Sequence, residues 1–102
     1  MKARYVLAPQ AAVDLVDIWR YIREQGNLAT AERIESEILD KLTFLAQTPR
    51  AEHLREELTN EPVRFFPVYS YLIVYRPETN PLQIISILHG RQDVRRILKE
   101  RL

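Results

Sequence analysis

The sequence predicts an α/β fold of the α+β kind: an N-terminal strand, an α-helical hairpin packed on a small, mostly antiparallel sheet, and a short C-terminal helix. Three observations lead there. Apolar residues recur at steps of three and four between Pro9 and Pro49, the period of two amphipathic helices. β-Branched and aromatic residues then concentrate between Val63 and His89, the composition of strands. With 102 residues and no cysteine, the chain, residues 1–102, forms a single domain around one core without disulfides.

Arg4-Tyr5-Val6-Leu7 reads as a short strand stopped by Pro9, whose fixed φ suits the first turn of a helix. Ala12, Leu15, Val16, Trp19 and Ile22 form the apolar face expected of that helix, which ends at Gly26-Asn27. Asn27 or Thr30 caps the second helix, whose apolar face is Ala31, Ile34, Ile38, Leu42 and Leu45. It stops before Pro49, because the residue before a proline is driven out of the helical region. The short connection predicts antiparallel packing of the two helices.

Arg50 to Glu61 reads as an acidic connector, part-helical around Leu54 and Leu58. Strands are expected over Val63 to Val68, Ser70 to Arg76 and Leu82 to His89, with Pro77 to Pro81 as the turn between the last two. Ile84 to Leu88 is apolar on both faces, so this strand should be interior, with helix on at least one side. After Gly90, Asp93 can cap a short helix with Val94, Ile97, Leu98 and Leu102 on its apolar side.

Composition excludes several functions. Two glycines are too few for a phosphate-binding loop or a dinucleotide fingerprint. The lack of cysteine excludes a thiol nucleophile and thiolate-bound metal. Fifteen basic against fourteen acidic residues give no global signature of a nucleic-acid binder. No apolar run approaches the ~20 residues of a membrane span, and a cytoplasmic location is the default expectation. Charge is unevenly placed, however. His89 to Leu102 carries five basic and two acidic residues, and Glu52 to Glu61 carries four acidic residues and one arginine.

Few residues suggest chemistry. His89 and Asp93 are a histidine–carboxylate pair across Gly90, able to serve as a general base or simply to cap the strand and the helix. Ser86 falls on the opposite strand face from His89, which argues against a serine–histidine pair. His53 and Glu57 lack a firm third ligand for a metal, so neither metal nor cofactor is expected. Twelve of the fifteen basic residues are arginine, the residue suited to planar contacts with phosphate or carboxylate. Arg64, Arg76 and Arg91 sit at strand ends, so some of them can share one patch with Arg95 or Arg96, suited to RNA phosphates or an acidic protein surface.

The string Arg64-Phe65-Phe66-Pro67-Val68, then Tyr71-Leu72-Ile73-Val74-Tyr75-Arg76, then Ile85-Ser86-Ile87-Leu88-His89-Gly90-Arg91-Gln92-Asp93 resembles the RelE/ParE toxin family of bacterial type II toxin–antitoxin systems. The resemblance spans nearly the whole chain. It implies a toxin neutralised by a cognate ParD-like antitoxin, and is compatible with a dimer of toxin–antitoxin heterodimers. RelE-like members cut messenger RNA on the ribosome, whereas ParE-like members poison DNA gyrase. The ribonucleases tend to carry an arginine where this chain has Leu72, and an aromatic group after the last strand, where this chain has none beyond Tyr75. Both departures favour a gyrase inhibitor without a catalytic set. The alternatives are a ribosome-dependent endoribonuclease using His89, Arg91, Arg76 and Arg64, or an inactive toxin that only binds its antitoxin. Target contacts are expected from Arg76, His89, Arg91, Asp93 and Arg95. Antitoxin contacts are expected in a groove between the helices, at Val13, Ile18, Tyr21, Leu39 and Phe44, with the acidic connector as its polar rim; an outer strand of the sheet can also accept a further strand.

Overall fold

A computed structural model describes residues 4–50, 59 and 61–102. The elements run β1 (Tyr5–Leu7), α1 (Pro9–Gln25), α2 (Leu28–Gln47), β2 (Arg64–Val68), β3 (Tyr71–Arg76), β4 (Leu82–His89) and α3 (Val94–Arg101). This is the expected order of elements. The expected helix around Leu54 and Leu58, together with His53 and Glu57, lies outside the described residues.

The four strands form one sheet in the order β1-β4-β3-β2. β2, β3 and β4 make an antiparallel meander, while β1 pairs with β4 in parallel, Tyr5 beside Leu82 and Leu7 beside Ile84. β4 is thus interior, as its apolar sequence requires, and all of Ile84–Leu88 is buried. The sheet has helix on both faces. Ile34, Ile38, Leu42 and Leu45 of α2, with Ala11, Leu15 and Ile18 of α1, meet Ile73, Tyr75, Ile84 and Ile87. On the other face Val94 and Leu98 of α3 meet Phe65, Val74, Ile85 and Leu88.

Local chemistry sets the boundaries. The Asn27 side chain accepts from Thr30 N–H at 2.8 Å and starts α2; the Asp93 side chain accepts from Arg96 N–H at 3.2 Å and starts α3. The Tyr75 hydroxyl, on a side chain with no exposure, donates to the Pro49 carbonyl at 2.9 Å and ties the end of the hairpin to the sheet. β2 and β3 join through Tyr69-Ser70, where Tyr69 has a φ of 56°.

Two features depart from the expected pattern. The buried face of α1 is Ala11, Leu15 and Ile18, with Ile22 half-buried; Ala12 and Val16, expected in the core, are exposed. The helix carries apolar residues nearly all round, so periodicity alone could not choose between two faces. The sheet chose the one that packs on Ile84 and Ile87. Second, β4 contains a bulge: Val74 lies opposite Ser86 and Tyr75 opposite Ile84, so Ile85 is the extra residue. The bulge lets Ile84 and Ile87 both face the helical hairpin, while Ile85 and Ser86 both face α3.

β1 covers only the first three residues of β4. Beyond it, side chains take over the outward amides of β4. Ile87 N–H donates to Asp14 Oδ2 at 2.9 Å, and His89 N–H donates to Gln92 Oε1 at 2.7 Å.

Candidate functional site

The open end of β4 carries a cleft of about 400 Å³ between α1, the start of β3 and the turn after β4. Its lining includes Asp14, Asp17, Tyr21, Tyr71, His89 and Arg91. The turn is held by its own backbone and side chains: Gln92 N–H donates to the His89 carbonyl at 3.0 Å, and Gly90 N–H donates to the Ser70 carbonyl at 2.8 Å. His89 Nδ1 accepts from Arg91 N–H at 3.0 Å, which leaves Nε2 as the donor of the neutral ring. The imidazole meets the Tyr71 ring edge to face, with centroids 5.4 Å apart. Burial, and next the neighbouring Tyr21, push the Tyr71 hydroxyl up from its ordinary value, so it is held in its neutral, hydrogen-donating form.

One wall of the cleft is fixed by an ion pair between distant residues. Asp14 of α1 accepts from both terminal nitrogens of Arg101, at 2.6 and 3.0 Å, and Arg101 Nη1 also donates to Ser86 Oγ at 2.9 Å. Arg101 therefore reaches round the edge of β4 from the α3 side to the α1 side. Nothing in the sequence signalled this pair, since Asp14 reads as one of several surface positions on an amphipathic helix.

The expected target-contact residues do not share one patch. His89 and Arg91 line the cleft together. Arg76 ends β3 beside Gln83, at the opposite end of the sheet, in a second depression with Pro9, Glu100 and Arg101. Asp93 and Arg95 line a third with Arg96, Lys99 and Glu61. Arg64 is half-buried on β2 opposite Tyr75. The reason is the antiparallel meander: the end of β3 lies beside the start of β4, one full strand length from His89. Asp93 caps α3 and His89 holds the Arg91 amide, so the two act as caps rather than as a histidine–carboxylate pair. Ser86 is turned to Arg101 and away from the histidine.

The groove expected between the helices is also redistributed. Ile18 is buried in the core, and Leu39 is half-buried against it. Phe44 stands over Phe66 of β2 at 5.8 Å between ring centroids. Tyr21, 62 % exposed, belongs to the cleft with His89 and Arg91; Val13, 51 % exposed, faces solvent elsewhere on α1. Tyr21, counted from the sequence as an antitoxin contact, thus shares a site with two residues counted as target contacts.

The sequence profile of a family described as the ParE toxin of the type II toxin–antitoxin system parDE matches residues 5–94. The chain is 27 % identical over 99 residues to Toxin ParE1 of Mycobacterium tuberculosis, in strains CDC 1551 and H37Rv alike, covering 96 % of this chain and all of the relative. Among solved structures, a chain of the chromosomal ParDE toxin–antitoxin system from P. aeruginosa superposes with a TM-score of 0.73 over 86 % of this chain and 96 % of that one, at 18 % identity, which supports the same fold. The elements on either side of the cleft, from β1 to the first residue of α3, all fall inside the matched region, and the chain belongs to the ParE toxin family of type II toxin–antitoxin systems.

Proposed function

We propose that this toxin acts by binding DNA gyrase and that a ParD-like antitoxin neutralises it. The observation that carries the choice of target is the separation of Arg64 and Arg76 from His89 and Arg91. Cleavage of RNA by its own ribose hydroxyl needs a base, an acid and cations around one phosphate. Only His89 and Arg91 of the four candidates meet, and arginine does not exchange its proton. Leu72, at the place where ribonucleases of the wider family tend to carry an arginine, packs against the apolar cluster under α3. The cleft of two tyrosines, a histidine and an arginine has the composition of a protein-binding hot spot. The antitoxin reading is supported by family membership and by the ParDE system to which the P. aeruginosa chain belongs.

The test mixes purified toxin with gyrase, supercoiled plasmid and ATP. Trapped gyrase–DNA cleavage complexes are expected, and they should disappear when the antitoxin is added. Normal supercoiling, together with messenger RNA cut within ribosomes, would overturn the gyrase reading.

A further inference from the structure

The turn after β4 is fastened by a group that titrates. In many turns an Asn or Asp oxygen accepts from the N–H two residues ahead. Here an imidazole does so: Nδ1 of half-buried His89 accepts from Arg91 N–H at 3.0 Å. The other bonds of the turn use backbone and amide groups. They join His89 and Gln92 in both directions and run from Gly90 N–H to the Ser70 carbonyl. Of these bonds only the one to Nδ1 can be cancelled by a proton, because a protonated imidazole has two donors and no acceptor. The groups that face the ring come from three elements. From β3 the Tyr71 ring meets it edge to face, and the Tyr71 hydroxyl, pushed up by burial and next by Tyr21, stays neutral through the range in which histidine titrates. From α1 come Asp14, Asp17 and Tyr21, and from the turn comes Arg91. The Asp14 carboxylate is engaged by Arg101 and by Ile87 N–H, so its charge is largely balanced. Asp17 and Arg91 make no ion pair among the described residues. Asp17 attracts an imidazolium and Arg91 repels it, which favours turning of the charged ring toward α1.

We propose that His89 is a proton-operated latch on the cleft. While the ring is neutral, the Arg91 amide is fastened and its side chain is presented on the cleft wall. When the ring takes a proton, two donors oppose each other, the amide is released and the wall loses its order. The inference rests on the cleft as the contact with gyrase and adds the regulation of that contact: binding weakens on acidification. Arg91 is exposed, so water can take over its amide. The expected change in affinity is therefore modest, roughly threefold to tenfold, the worth of one hydrogen bond.

Asn offers an oxygen where histidine offers Nδ1 and does not titrate, so His89→Asn keeps the bond without its switch. Spectra of the full chain labelled with nitrogen-15 are recorded from about pH 8 down to pH 5, the range in which histidine changes charge. In the wild type the Arg91 amide signal should move, and lose protection from exchange, in step with titration of the His89 ring. In His89→Asn it should stay in place. Affinity for purified gyrase is then measured at both ends of the range for the wild type, His89→Asn and His53→Gln, the last removing the other histidine of the chain. The ratio of the two affinities of each chain is its own reference, so the effect of pH on gyrase itself cancels in the comparison. This ratio should be larger for the wild type and His53→Gln than for His89→Asn, by the factor given above. An Arg91 amide that ignores titration of His89 would overturn the latch and leave the gyrase reading in place. A latch that opens while all three chains share one ratio would overturn its control of the cleft, again without touching the gyrase reading. Absence of gyrase binding by the wild type at either pH would remove that reading and the regulation with it.

Discussion

Asp14 and Arg101, 87 positions apart in the chain, form a two-pronged ion pair that joins the first helix to the last across the edge of β4. Their side chains are 11 % and 20 % exposed, so the pair is largely shielded from water. Removing one partner leaves the other charge in a poorly solvated place. Asp14→Ala and Arg101→Ala are each expected to cost about 2–3 kcal/mol, below the full range for wholly buried pairs. Thermal melting should fall by roughly 10 °C or more in each. The double variant should lose less than the sum, and strict additivity in the cycle would show that the two do not act together.

Tyr71 gives the fold a dependence on alkaline pH. Its hydroxyl ionises at a higher pH in the folded chain than in the unfolded chain, chiefly through burial. The corresponding stability is therefore fully present below the ordinary tyrosine value of about 10 and is lost as pH rises through the folded value. Denaturant midpoints measured across that window should decline less steeply for Tyr71→Phe than for the wild type. Parallel curves would show that Tyr71 contributes nothing to the slope.

Tyr69 holds a φ of 56° at the tip of the β2–β3 hairpin, where a side chain meets steric resistance. Its hydroxyl reaches Glu37 of α2, an exposed contact. Asn accepts this backbone region more readily, so Tyr69→Asn should raise stability by about 0.5–1 kcal/mol despite the lost contact. Chemical denaturation checks this, and a loss of stability would mean that the Glu37 contact outweighs the backbone relief.

The cleft and the distant arginine make opposite predictions for toxicity. Arg91→Ala and Tyr21→Ala, whose side chains are exposed, should reduce growth arrest at least ~10-fold in the inducer needed while leaving the melting temperature within ~2 °C. Arg76→Ala, at the far end of the sheet, should remain as toxic as the wild type. Growth assays on the three variants, with expression checked by blotting, decide the matter. Loss of toxicity in Arg76→Ala alone would move the target surface to the other end of β3.

Much of the fold was legible because local chemistry and tertiary packing agree there. Asn27 and Asp93 cap the helices that their positions suggested, and Ile84 to Leu88 reads as the buried strand it is. The face of α1 was not legible, since Val13, Val16 and Trp19 are as apolar as Leu15 and Ile18, and only contact with β4 separates them. Neither was the bulge at Ile85, which has no signature in a run of isoleucines. His89 and Arg91 were found by their place after a strand, but Tyr21 and Asp14 join them from α1 through tertiary contact alone. Arg76, named with them from the sequence, lies at the other end of the sheet, because the meander sets the end of β3 beside the start of β4 and the sequence did not say which strand ends meet.

The amides of Ile87 and His89 have a further consequence. An open strand margin on a small sheet protein invites copies to zip together into insoluble fibres. Here Asp14 and Gln92 already occupy two hydrogen-bond donors, the amides of Ile87 and His89, beyond the three residues that β1 covers. An incoming strand finds these two donors spent, so pairing along this margin lacks two of the hydrogen bonds that would otherwise hold it.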